Sequence, residues 1–144
     1  MREILFRGKC NEIGKKCGQW IEGFYAKDDG KPLIAINKDN GLNGYFVDPS
    51  TVGQFTGLTD KNGKKIFEGD VIRVKYSIRL PIGFGNSLRI ATHDIDYIAS
   101  VIFDECRFYS TKANGDACEI PLDSENIEII GNIHDNPELL EVVK

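Results

Sequence analysis

Long hydrophobic runs are missing from this chain. No apolar stretch approaches the ~20 residues that span a bilayer, so no segment reads as a membrane helix. The start, MREILFRGK, has no apolar signal region or small-residue cleavage site, and a cytosolic protein is expected. There are four cysteines but no C-x-x-C, and the two histidines, His93 and His134, stand far apart, so the spacing of zinc sites fails. Cys10, Cys17, Cys106 and Cys118 therefore read as reduced thiols in a reducing compartment, with no metal and no cofactor. Also absent are G-x-x-x-x-G-K-[ST], G-x-G-x-x-G and G-x-S-x-G, which leaves phosphate cradles and elbow serines without support. No repeat or low-complexity linker breaks the chain.

Turn residues are plentiful instead. The 144 residues include 15 glycines, about one in ten against a usual ~7%. They punctuate short stretches of alternating apolar character, which predicts strands at residues 3–7, 19–25, 32–37 and 44–47. Asp28-Asp29-Gly30 and Asp39-Asn40-Gly41 mark the linking turns. Asp48-Pro49 reads as a helix cap followed by a first-turn proline, with Gly53 and Gly57 soon ending the helix. Asp60-Lys61-Asn62-Gly63 predicts a hairpin turn, residues 64–68 a short strand, and Glu68-Gly69-Asp70 a second tight turn. From Asp70 the pattern alternates, with Ile72, Val74 and Tyr76 on one face and Val71, Arg73 and Lys75 on the other. Further strands are expected at 97–103, 107–111 and 126–133. Residues 79–93 read as a long loop insert. A short helix at 137–143 is capped by Asn136, with Leu139, Leu140 and Val143 as its apolar contacts. The expected fold is mostly β, with two packed β subdomains, residues 1–56 and 57–144. The second is a small SH3-like barrel followed by the terminal helix.

Charge is divided along the chain. Residues 1–93 carry a net +5 and residues 94–144 a net −9. Apolar residues such as Ile95, Ile98 and Ile127 interrupt the acidic part, so it reads as folded strand rather than a disordered tail. An acidic edge on one copy facing the basic half of another makes self-association an expectation.

Two stretches carry a family resemblance. DPSTVGQFTGLTDKNGKKIFEGDVI at 48–72 and IEIIGNIHDNPELL at 127–140 resemble the two hallmark blocks of the YopX family, small proteins of phages and prophages. The opening REILFRGK and Gly18-Gln19-Trp20-Ile21-Glu22-Gly23 resemble the family's usual start. Insert 79–93, Cys10 and Cys17 depart from the usual pattern. The resemblance implies a phage context inside a bacterial host cell and supplies no catalytic residues.

Candidate chemistry is sparse. His134-Asp135 has the composition of an acid–base pair, but neighbours on a strand point apart, and Asp135 suits the turn and cap better. Asp94 and Asp96 share a strand face and lack a third acidic partner for a cation. The one basic and aromatic grouping is Arg73, Lys75, Tyr76, Arg79, Phe84 and Arg89, whose cations would attract phosphates and whose rings would stack on bases. The expected function is a non-enzymatic phage accessory protein that binds a host or phage protein or assembles with itself. The alternative is nucleic-acid binding through that basic and aromatic segment.

Overall fold

A computed structural model of the protein describes residues 3–12, 18–38 and 41–141. Among them, eleven strands form two antiparallel sheets. The first holds β1 (Phe6–Lys9), β2 (Trp20–Asp28), β3 (Lys31–Lys38), β4 (Gly41–Phe46), β5 (Gly53–Thr59) and β6 (Lys65–Phe67), in the order β4-β3-β2-β1-β5-β6. The second holds β7 (Asp70–Ile82), β8 (Arg89–Asp104), β9 (Arg107–Lys112), β10 (Ala117–Cys118) and β11 (Ile127–Asn132), in the order β10-β9-β8-β7-β11.

Local signals account for most joints. Asp29-Gly30 turns β2 into β3, both residues at positive φ as a two-residue hairpin loop requires. The Asp39-Asn40 part of the next turn lies outside the described residues, and the Lys38↔Gly41 pair brackets it. Asp48 caps a single 3-10 turn, Pro49–Thr51, its Oδ1 accepting from the Ser50 amide at 3.0 Å.

Two apolar clusters hold the sheets. Cys10, Ile21, Ile34 and Val47 are buried together under Phe6, Ile36, Tyr45 and Val52. The second cluster joins Ile72, Val74, Val101 and Ile127 of the five-stranded sheet to Ile66 of β6, with Leu58 of β5 packed beside them. Each such side chain, fully buried, contributes about 2 kcal/mol. Exposed ion pairs such as Lys61–Glu128 at 3.1 Å contribute at most about 1 kcal/mol. The apolar clusters dominate.

The helical segment after Asp48 is short, as expected, and Gly53 and Gly57 follow it in β5, where Gly53 pairs with Arg7 and a β-carbon would stand 2.5 Å from the Glu68 carbonyl oxygen. Four expectations need correction. The five-stranded sheet does not close into a barrel, because its edge strands β10 and β11 do not pair with one another among the described residues. The terminal helix is a single 3-10 turn, Pro137–Leu140, and Val143 lies outside the described residues. Asn136 precedes that turn without capping it, since its Oδ1 accepts instead from the Asn132 amide at 3.3 Å. The insert at 79–93 is no loop, as described below.

Gly63 and Gly69 take φ of +79° and +93° at the two tight turns. Replacing Gly69 with valine forces a β-carbon into left-handed backbone and is expected to cost about 1–2 kcal/mol. A lowered urea midpoint with an unchanged slope checks it.

Candidate interaction surface

The second half of β7 and the first half of β8 leave the body of the protein. β11 accompanies β7 only as far as Val74, and β9 accompanies β8 only from Ala99. Between these points, eight register pairs from Lys75↔Asp96 to Ile82↔Arg89 form a two-stranded arm. At ~3.3 Å per residue it is roughly 25 Å long. Residues 83–88 make its tip, with one 3-10 turn at Gly85–Ser87.

Register assigns its two faces, because directly paired residues point the same way. Tyr76, Ile78, Leu80 and Ile82 share one face with Ile95, Ala91 and Arg89. Lys75, Ser77, Arg79 and Pro81 share the other with Asp96, Asp94, Thr92 and Ile90. Apolar side chains are open to solvent along the arm: Leu80 and Ile82 are 45% and 47% exposed, Leu88 and Ile90 each 63%, and Phe84 at the tip 93%. An isolated two-stranded ribbon is marginal in water, and this one presents apolar surface as well.

The basic and aromatic grouping is split by this geometry. Arg73 is engaged by Asp96 in a fork, Nε to Oδ1 at 3.0 Å and Nη2 to Oδ2 at 2.8 Å. That hydrogen bond raises the arginine pKa and lowers the carboxylate's. Lys75 and Arg79 lie on the same face with Asp94 and Asp96 between them, while Tyr76 and Arg89 lie on the opposite face. Phe84 stands apart at the tip. Asp94 and Asp96 do share a face, and both are occupied, since Asp94 accepts from the Ser77 hydroxyl at 2.6 Å. No group of three or more potential metal ligands is found among the described residues. Cys10, Cys106 and Cys118 are free thiols, and Cys17 lies outside the described residues.

A second polar constellation escaped the sequence reading. Arg7 from β1 and Asp70 from β7 meet between the sheets, Nη2 to Oδ1 at 2.7 Å, with side chains 11% and 3% exposed. The charges attract without hydrogen-bond alignment, and Arg7 Nε has no acceptor among the described residues. The guanidinium lies between Trp20, 4.6 Å from the ring centroid, and Phe67, at 5.0 Å. Trp20 donates from Nε1 to Asp135 Oδ2 at 2.8 Å, Lys9 pairs with the other carboxylate oxygen, and His134 packs on the Trp20 ring. His134 and Asp135 thus tie the segment after β11 to β1 and β2, the carboxylate through Lys9 and Trp20 and the imidazole through the Trp20 ring. The one signal available in the sequence was its single tryptophan.

This junction is expected to weaken on acidification in two stages. Burial, then the Arg7 charge, hold His134 below its ordinary 6.5. The unfolded chain takes that proton first, so stability falls as pH drops through 6.5. Hydrogen bonds from Lys9, Trp20 and Asn132 hold Asp135 well below 3.8. Burial pushes Asp60 up, but amides of Ile129, Lys64 and Asn62 outweigh it and leave it lowered. Both contributions persist above 3.8 and vanish below it. Asp70 opposes them, raised by burial despite Arg7. Urea midpoints measured from neutral pH down to ~3 check the sign.

The comparisons with known proteins agree with this architecture. The crystal structure of protein EF1440 from Enterococcus faecalis aligns over 98% of this chain and 100% of its own, with a TM-score of 0.54 and 21% identity. At that identity the likeness speaks for the fold. No curated protein matches the chain. The model of the YopX protein family matches residues 6–141, nearly the whole sequence, and the chain belongs to that family.

Proposed function

We propose that this is a phage- or prophage-encoded accessory protein, non-enzymatic, that works in the cytoplasm of the bacterial host by binding protein. Its partner is a host or phage protein or further copies of itself. The observation that carries this reading is the projecting arm with five open apolar side chains, Leu80, Ile82, Phe84, Leu88 and Ile90. Apolar surface held away from the body on a two-stranded ribbon suits insertion into a partner. In this reading the five-stranded sheet, with the β5–β6 hairpin folded over its core, is an SH3-like unit serving as the arm's base.

Nucleic-acid binding is the weaker reading. The arm's two arginines, Arg79 and Arg89, face opposite ways, and Arg73 is already paired. Capture of the tagged protein from infected cells, beside a Phe84→Asp/Leu88→Asp variant, tests both. A defined set of proteins retained by the wild type and lost with the variant is expected. Recovery of nucleic acid, together with binding of single-stranded DNA that weakens steeply with salt, would favour the alternative.

A further inference from the structure

The five-stranded sheet and the β5–β6 hairpin leave a groove of about 340 Å³ beyond the base of the arm, lined by Leu58, Phe103, Arg107, Phe108, Ile120 and Leu122. Leu122 is 87% exposed and Phe103 42%. The surroundings of the groove and the arm are opposite in charge. Residues 79–93 contain Arg79, Arg89 and no acidic residue. At the groove, Arg107 is the one charged lining residue, while Asp104, Glu105, Glu119 and Asp123 adjoin the lining residues in sequence.

Reach decides which arm fills it. The tip precedes Arg89, and Phe103 is near the far end of the same strand, β8. Sixteen extended residues span roughly 50 Å. No chain can bend its own arm into its own groove. Resting on the protein-binding reading, we propose that the arm tip of one copy, Phe84 and Leu88, inserts into the Leu58–Phe103–Leu122 groove of a second copy.

Two copies that exchange arms reciprocally close as a two-fold pair. Otherwise each bound copy offers a further free arm and groove, and chains add head to tail, as a ring if the rotation closes and as a filament if it does not. Arg89 beside the tip would meet the carboxylates next to the groove, which steers the encounter and disfavours an arm-to-arm alternative, where like charges would face each other.

Complementation between variants tests the proposal. Phe84→Asp/Leu88→Asp removes the tip and Leu122→Arg spoils the groove, both at open positions where folding should be unaffected. In sedimentation and native mass spectrometry the wild type is expected to form a dimer or a larger assembly. Each variant alone should be monomeric. Mixed, they should give a heterodimer and stop there, because one intact arm and one intact groove remain.

A disulfide readout covers the case in which a variant fails to melt cooperatively. Cys106 also lines the groove. Mild oxidation of Ser87→Cys should link copies, with peptide mapping placing the bond between positions 87 and 106, and Cys106→Ser should abolish that link. Links only between two copies of position 87 would mean arm-to-arm contact and would overturn the proposal. So would a mixture that stays monomeric, or a groove variant that still assembles. A wild type that is monomeric at high concentration also overturns it, while the capture experiment separately decides whether the arm binds another protein.

Discussion

Asp60→Ala is expected to remove about 3–5 kcal/mol of stability, although the residue sits in a surface turn. Its side chain is buried, and three backbone amides converge on it. Asn62 and Lys64 each donate to Oδ1 at 2.9 Å, and Ile129 of β11 donates to Oδ2 at 3.1 Å. The first two shape the turn, while the third fastens it to a strand 69 positions away. Alanine would leave all three amides unsatisfied at once, and the cost of orphaned donors exceeds the net worth of the bonds themselves. Asp60→Asn keeps one carbonyl acceptor and should fall between. Urea titration of the three proteins measures this, and a loss below about 1 kcal/mol for alanine would show that solvent reaches the amides.

A loss of similar size is expected from Arg7→Met. It strands the buried Asp70 carboxylate, which among the described residues then keeps only the Phe67 amide, 2.8 Å from Oδ2. Breaking a buried pair from one side typically costs about 3–5 kcal/mol. Two further measurements separate this cause from lost packing on Trp20 and Phe67. Adding Asp70→Asn should recover part of the loss, since no charge then remains unpaired. Acidification should recover part of it too. Burial already raises the Asp70 pKa, and without Arg7 it rises further, so the folded variant takes up a proton that the unfolded chain does not. A deficit unchanged by pH and by the second substitution would assign the effect to packing alone.

What the sequence made legible was local. Asp28-Asp29-Gly30, Asp48-Pro49 and Asp60–Gly63 signal their turns through side chains within a few positions, and each stands where expected. The alternation after Asp70 likewise placed Ile72 and Val74 in the core. The arm was missed because residues 79–93 read as a loop insert, although Pro81 is no obstacle to a strand here. Proline lacks an amide to donate, but both strands of a two-stranded ribbon are edges, with one side free, so Pro81 pairs with Ile90 without loss. The basic grouping failed for the opposite reason: adjacency in sequence said nothing of which face each residue takes. The Arg7, Trp20 and Asp135 network joins residues more than a hundred positions apart, beyond any local pattern.

The hairpin of β5 and β6 belongs by its backbone to the first sheet and by Ile66 to the core of the second. Synthesis on the ribosome makes this sharing an interval of exposure. Ile66 emerges roughly sixty residues before Ile127, which at about 5–20 residues per second leaves its cluster incomplete for several seconds. During that time β7 and β8 can cover Ile66 only in part, and the last face closes when β11 arrives. Stalled or truncated products that lack β11 should therefore be prone to aggregation and proteolysis, even with the whole first sheet translated.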